Sequence, residues 1–350
     1  MVCAHASWAL LSADSRTAVL WYGLDILFGC VAPIYLFLSG VTLRYALESD
    51  RGADTLRRHT RRLVRLLLLG VWLQIPILSV RQIFWNHEPT ALAQLLDCNA
   101  LHVIALVGLL LVALGHLLAL RTVAVIAAVL ALALLLTEPV LGLLPGRELL
   151  VPPFRGLFGP QPQATLPLFP FALYPLAGFV LGTWLLSGAG ERVRVAWSGL
   201  VGGSLVALGF LLDAIAPAAD FWRNSPWYLL FRLGTVIAAV AVAQGWSLRR
   251  HGSLAGVVEW IGRGSLGVYV IHLVLLYGSP VSIGLVGWQR NTLVEGSSPL
   301  TVALVAAGLL LCTLLVWWCW LQLRRGRPLV ALAVKQFFWA AFWGMFLSRP

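Results

Sequence analysis

Ten apolar runs punctuate this chain, at roughly 18–45, 63–80, 100–120, 122–144, 166–187, 195–216, 227–248, 264–284, 300–323 and 329–347. Crossing the hydrocarbon of a bilayer takes a helix of about 20 residues, and most of these runs reach that length. Lipid offers no partner to a backbone N–H or C=O, so segments this long satisfy those groups internally and form helices. The run 63–80 is short for a span, and 329–347 is borderline. The predicted fold class is all-α: a polytopic transmembrane helical bundle of about nine to ten spans, with 1–350 as a single domain. No repeat at solenoid spacing interrupts that organisation.

Composition excludes the soluble alternatives. The chain is 60% hydrophobic and 11% charged, with a mean hydropathy of +0.87, a balance foreign to water-soluble domains of this size. The net charge of +11 would suggest nucleic acid in a soluble protein. Here the arginines sit in short loops between apolar runs, where they set orientation, so no nucleic-acid partner is expected. The five cysteines lie in or beside apolar runs without CxxC spacing. They read as small core residues, with neither a disulfide framework nor a metal site expected. Met1 is followed by apolar residues without a basic n-region, so no cleavable signal peptide is expected.

Arg44, Arg51, Arg57, Arg58, Arg61, Arg62 and Arg65 flank the first turnaround, and further arginines recur in alternate loops up to Arg327. The positive-inside rule places that set in the cytoplasm. Residues 1–17 and the loops at 81–99, 145–165, 217–226 and 285–299 then face outward. The 145–165 loop carries Pro145, Pro152, Pro153, Pro160 and Pro162 and reads as irregular cover on the outer surface.

With this orientation, ionisable groups gather toward one face. His5 lies outside, and Asp25 about seven residues into the first run, roughly 10 Å deep at 1.5 Å per residue. A carboxylate there costs about 2.5–3.5 kcal/mol on insertion scales and rarely persists without a partner or a task. An imidazole is a natural partner because it titrates near neutral pH, and a base with a carboxylate orienter is the usual acid–base arrangement. His5 and Asp25 are therefore the expected catalytic pair. Asp97 and Asn99 stand where the outer loop meets the third run, with His102 one turn further in. Arg232 sits one turn inside 227–248, and His272 near the middle of 264–284. Each also has a plain structural reading. Asp97 and His102 fit helix capping and headgroup contact, His272 a hydrogen bond to a neighbouring helix, and Arg232 a snorkelling side chain. The cluster Arg57, Arg58, Arg61, Arg62 and Arg65 fits topology and anionic-lipid contact. It equally fits a phosphate site gripped by guanidinium forks.

His5-Ala6-Ser7, Asp25 and the segment Pro33 to Gly40 resemble the start of the heparan-alpha-glucosaminide N-acetyltransferase catalytic-domain family, part of a wider transmembrane acyltransferase superfamily. Asn99-Ala100-Leu101-His102-Val103-Ile104-Ala105-Leu106 is similar to that family's Leu-His/Gln-x-Ile-Ala-Leu segment. Leu168-Phe169-Pro170 through Gly178 looks like its Phe-Pro-x-x-Pro-Trp-x-Gly element. Gly262 to His272, with Ser265 and Tyr269, resembles its Gly-x-x-Ser-Leu-x-Ile-Tyr-x-x-His element. The matches run in order from residue 5 to 272. Two departures stand out. The family's first span, preceded by Asp and Arg-Gly, is represented only by Met1-Val2-Cys3-Ala4-His5, which looks like its tail. Pro167-Leu168 stands where the family has aspartate or tyrosine before Phe-Pro, which implies a different acceptor subsite.

The resemblance implies a multi-pass protein of a cell membrane, the bacterial inner membrane being expected. Its donor would be acetyl-CoA or another acyl-CoA from the cytoplasm, and its acceptor a small molecule or glycan on the far side. His5 and Asp25 would be catalytic. Asp97, His102, Arg232, Ser265, Tyr269 and His272 would support the site or bind substrate, and the arginines from Arg57 to Arg65 would hold coenzyme A phosphates. Partners are then the bilayer and the acceptor, with a homodimer left open. Two other readings stand beside this one: a transporter or flippase with a buried Asp25/His272 proton relay, and an inactive truncated homologue.

Overall fold

The computed structural model describes residues 1–12, 14–17, 19–49, 52–73, 98–143, 166–216, 227–248, 253–278, 284–285 and 297–348. Among these the structure is helical, without a β-sheet; one isolated bridge pairs Leu11 with Ser297. Eight of the described helices are long and apolar enough to cross a membrane, or nine counting a bent pair. Of the run predicted at 63–80, residues 74–80 lie outside the described residues. Its described part belongs to a helix that starts earlier, at Ala53, and whose first half carries the arginines. The borderline final run does qualify, as Pro328–Ser348.

The chain divides into two compact units, Gly29–Val71 with Leu92–Arg250, and Met1–Phe28 with Trp72–Ala91 and His251–Pro350. The first of these contains α3 (Val31–Ser49), most of α4 (Ala53–Trp72), α5 (Ala100–Leu117), α6 (Leu120–Leu143), the short α7 (Leu168–Phe171), α8 (Leu173–Leu185), α9 (Glu191–Ile215) and α10 (Trp227–Ser247). Its core is built on Leu36, Phe37, Leu111, Tyr174, Phe179 and Val236. Within the apolar run predicted from 18 to 45, Gly23–Ser49 qualifies as one span, with a turn at Cys30 between α2 (Val19–Gly29) and α3. Pro33 explains the restart, since it lacks an N–H and is tolerated in a first helical turn.

Membrane helices gain little from burying apolar surface against one another, so close backbone packing through small residues takes over. In α3 and α8 this is extreme. A methyl on Gly40 would collide with the Pro175 carbonyl, and one on Gly178 with the Phe37 carbonyl. A methyl on Gly182 would lie 2.9 Å from Arg44 Cβ. Helices α9 and α10 are joined the same way. A methyl on Gly202 would come within 2.7 Å of Ala238 N, and one on Gly234 within 2.6 Å of the Gly202 carbonyl. Helix α5 opens on a capping box. Asn99 Oδ1 accepts from the N–H groups of Leu101 and His102, and His102 Nδ1 accepts from the Asn99 N–H.

The other unit contains α1 (Val2–Leu10), α2 up to Phe28, α11 (Ser253–Arg263), α12 (Ser265–Tyr277), α13 (Pro299–Gly326) and α14 (Pro328–Ser348). Ser298 caps α13 through the Thr301 N–H, and Pro299 takes its first position. Val2, Ala6 and Leu10 of α1 pack with Leu276, Val302 and Leu309. The α1 end is tied down by Ser297 N–H donating to the Leu10 carbonyl and Ser12 N–H to the Ser297 carbonyl. Helices α11 and α12 meet at a bend of 68°, centred on Gly264, where the Trp317 indole lies against Gly264 and Gly267. The outer faces carry bare large side chains, among them Leu300, Leu329 and Phe337. Faces so apolar suit lipid rather than water.

Candidate functional site

Helix α1 places His5 and Trp8 one turn apart, on one face. Helix α12 places Tyr269 and His272 on one face by the same spacing. The two faces meet. The His5 and His272 rings are 5.2 Å apart, edge to face, with Tyr269 5.6 Å from His272. Trp8 and Tyr277 flank His5 at 5.8 Å and 6.1 Å. His272 is almost fully buried. Its Nδ1 lies 2.9 Å from the Val268 carbonyl, the geometry of an N–H donor. That tautomer leaves the lone pair on Nε2, which is buried and without a hydrogen-bond partner. His5 Nδ1 is buried and unpartnered as well.

Two orphaned imidazole nitrogens on facing rings are unusual, because buried polar atoms are nearly always satisfied. Helix α1 is nine residues long, too short to cross a membrane. Burial pulls the His5 imidazole down from its usual value to about 3, and the adjacent His272 ring pulls the same way. The ring is therefore neutral at physiological pH, with a lone pair available.

The expected His5–Asp25 contact is not what the structure brings together. Asp25 Oδ1 accepts a hydrogen bond from Trp8 Nε1 at 2.7 Å, and it is the Trp8 ring that lies beside His5. Asp25 reaches His5 at one remove, through an indole, while His272 is the direct neighbour. Arg16 Nη2 donates to the Trp8 carbonyl at 2.8 Å, fixing the same turn of α1. Ser265 sits two turns before His272, at the start of α12, and makes no ring or hydrogen-bond contact with this cluster. Trp8 and Tyr277 were missed in the sequence. The available signal for Trp8 was its spacing three residues after His5.

The other unit holds the remaining candidates. His102 serves the α5 cap described above, and Asn99 Nδ2 donates to the Gly70 carbonyl at 3.0 Å, tying that cap to α4. Asp97 lies outside the described residues. Arg57, Arg58, Arg61, Arg62 and Arg65 are all exposed along α4. At 100° per residue they share an arc of about 140°, opposite buried Leu63 and Gly70. Arg58 donates to Thr55 Oγ1 at 2.7 Å. Arg44, unremarked in the sequence beyond its place in the loop count, is buried. Its Nη1 pairs with Glu48 at 2.7 Å and its Nε donates to Thr183 Oγ1 at 2.9 Å, a satisfied link between α3 and α8. Arg232 on α10 lies over the Tyr228 ring, 4.0 Å from its centroid. Among the described residues no cluster of three or more His, Cys, Asp or Glu could hold a metal.

Eight apolar helices of spanning length among the described residues define a multi-pass helical membrane protein. Its sequence matches the acyltransferase domain family over residues 1–347, and the chain belongs to that family. No curated protein and no solved structure matches it.

Proposed function

We propose that the protein transfers an acyl group from a cytoplasmic acyl-CoA, acetyl-CoA foremost, to a hydroxyl or amine of a sugar or similar acceptor on the opposite side of a bacterial inner membrane. Heparan-alpha-glucosaminide N-acetyltransferase-like chemistry is the specific form intended. The observation that carries the reading is the His5–His272 pair, with its two unpartnered nitrogens, in a chain that matches an acyltransferase domain end to end.

His5 acts as general base. Its neutral ring takes the proton of the acceptor O–H or N–H as that atom bonds to the thioester carbonyl carbon. The carbon–sulfur bond then breaks, and the imidazolium returns the proton to the leaving thiolate. A positioned base of this kind contributes about 10²–10⁴-fold. His272 is the positioning residue: its Nδ1–H is committed to Val268, so its Nε2 lone pair is free to steady the charged His5 ring. Asp25 holds Trp8 against His5. The exposed arginine face of α4 suits the phosphates of coenzyme A, because guanidinium forks bind phosphoryl oxygens in pairs.

The test is label transfer. Membranes from cells expressing the protein are incubated with radiolabelled acetyl-CoA, and label is counted in the extracted envelope. Label should appear with the native chain and fall to background with His5→Ala at equal expression. Equal labelling by the two removes His5 from the mechanism and the reading with it.

A further inference from the structure

The unit that holds α8 contains a cavity of about 560 Å³ bounded by α6, α8, α9 and α10. Ligand sites usually run to about 300–1,000 Å³. Ala128 and Ala131 of α6 and Ala177 of α8 line it, and side chains this small leave the space. Two of its walls cannot slide in to fill it, because α9 and α10 are already in backbone contact at Gly202 and Gly234. Trp184 and Trp197 also line the cavity and are exposed, so it is open at the side rather than sealed.

One hydroxyl interrupts the apolar lining. Ser198 of α9 is 1% exposed, and its Oγ has no hydrogen-bond partner. Other hydroxyls within the spans answer themselves: Thr137, Thr183, Thr235 and Thr313 each donate to the carbonyl four residues earlier. Ser198 makes no such bond, and an unanswered hydroxyl is costly in apolar surroundings. It is also at a telling depth. Ser198 is the eighth residue of α9, about 10 Å along the axis from Glu191. Glu191 and Arg192 are exposed charges that belong at headgroup level. The polar layer of a bilayer is about 5–8 Å deep on each side, so Ser198 lies just beneath it, next to the ester carbonyls of the lipids.

The size of the cavity decides between a helix and a lipid as its occupant. A helix is about 10–12 Å across and rises about 5.4 Å per turn, so one turn fills about 400–600 Å³. The cavity would seat barely one turn. An acyl chain is a single file of methylenes, has no polar atom below its ester, and carries a carbonyl acceptor at its top. Lipid tails are as apolar as the lining, so burial alone selects nothing, and the hydroxyl supplies the preference. We propose that this cavity holds one acyl chain of a membrane phospholipid, whose ester carbonyl accepts the Ser198 O–H. The site goes beyond the acyl-transfer reading and does not depend on it.

The experiment is native mass spectrometry of the full chain in an uncharged detergent, with two phosphatidylglycerols of equal chain length added separately. One has ester-linked chains. The other is the dialkyl ether analogue, which keeps the headgroup and chains but lacks the carbonyls. The native protein should retain the ester lipid about 2–10-fold better, the worth of one neutral hydrogen bond. Ser198→Ala deletes an unsatisfied hydroxyl, so it should fold as well as the native chain and retain the two lipids equally. Ala128→Phe places a ring in the cavity from an exposed position and should lower retention of both. Equal retention by the native protein, an ester preference that survives in Ser198→Ala, or unchanged retention in Ala128→Phe overturns the proposal. So does a dimer that Ala128→Phe dissociates, because a second copy of the chain would then fill the groove. The native comparison needs no variant, so the test stands even where Ala128→Phe fails to fold. No acyl donor is added, so the result bears on the lipid site alone, and loss of labelling in His5→Ala on the catalytic reading alone.

Discussion

Replacing Asp25 separates two arrangements that the sequence alone cannot. If Asp25 works by holding Trp8, Asp25→Asn should be mild, because the amide oxygen still accepts the indole N–H. The bond is 2.7 Å and exposed. A hydrogen bond to a charged acceptor is worth about 1.5–3 kcal/mol and a neutral one about 0.5–1.5, so the substitution gives up about 1–1.5 kcal/mol at most. Felt in full at His5, that is a factor of about 5–10 in rate. Asp25→Ala and Trp8→Phe each break the same bond and should cost similar amounts. Their combination should cost no more than either alone, as expected when two side chains act through one contact. His5→Ala should lie well below all of them, at about 10²–10⁴-fold. The assay is the initial rate of acetyl transfer into envelope material, at matched expression. A direct carboxylate–imidazole pair predicts otherwise: Asn in place of Asp selects the wrong tautomer and drops the rate by about 10⁴-fold in the best-studied hydrolytic triad. Asp25→Asn within about threefold of His5→Ala, with additive losses for the Trp8 and Asp25 changes, would refute the indole-mediated arrangement.

Two further outcomes follow from the packing. The His5 ring is neutral when folded, with its pKa lowered to about 3, whereas in the unfolded chain it titrates near 6.5. The unfolded state therefore binds the extra proton between those values, and stability falls as pH drops below about 6.5, by up to about 1.4 kcal/mol per pH unit. His5→Gln should flatten that part of the Tm–pH curve relative to the native protein, and an unchanged difference between pH 7 and pH 5 would contradict the burial argument. Gly178→Ala drives a methyl into the Phe37 carbonyl and should lower stability by about 1–3 kcal/mol, the usual cost of overpacking. Gly203→Ala, which meets nothing within 4 Å, should be neutral or stabilising on helix propensity, so equal melting of the two variants would count against a locked α3–α8 contact.

The spans were legible because lipid imposes one rule on every segment, and a run of apolar residues obeys it whatever its neighbours do. Helix bounds were less legible than the runs. Arg57 to Arg65 are good helix formers that extend α4 backward to Ala53, ahead of the start that the apolar run predicts. Within the site, His5 and His272 were each visible as polar residues in apolar surroundings, but their pairing was not. It depends on how α1 and α12 cross, and nothing in local spacing encodes that. Asp25 was assigned to the nearest imidazole because carboxylates and imidazoles attract. The indole that holds it was not singled out, although a Trp N–H is a donor that seeks an acceptor.

The glycine contacts between α3 and α8 carry a mechanical consequence. Where two backbones touch, a helix cannot advance past its neighbour by a turn without driving a carbonyl into a Cα. The pair therefore moves as a single rod, further pinned near one end by Arg44 and Thr183. Any breathing of that unit must occur at its looser seams, and α3 with α8 supplies the fixed wall against which it happens.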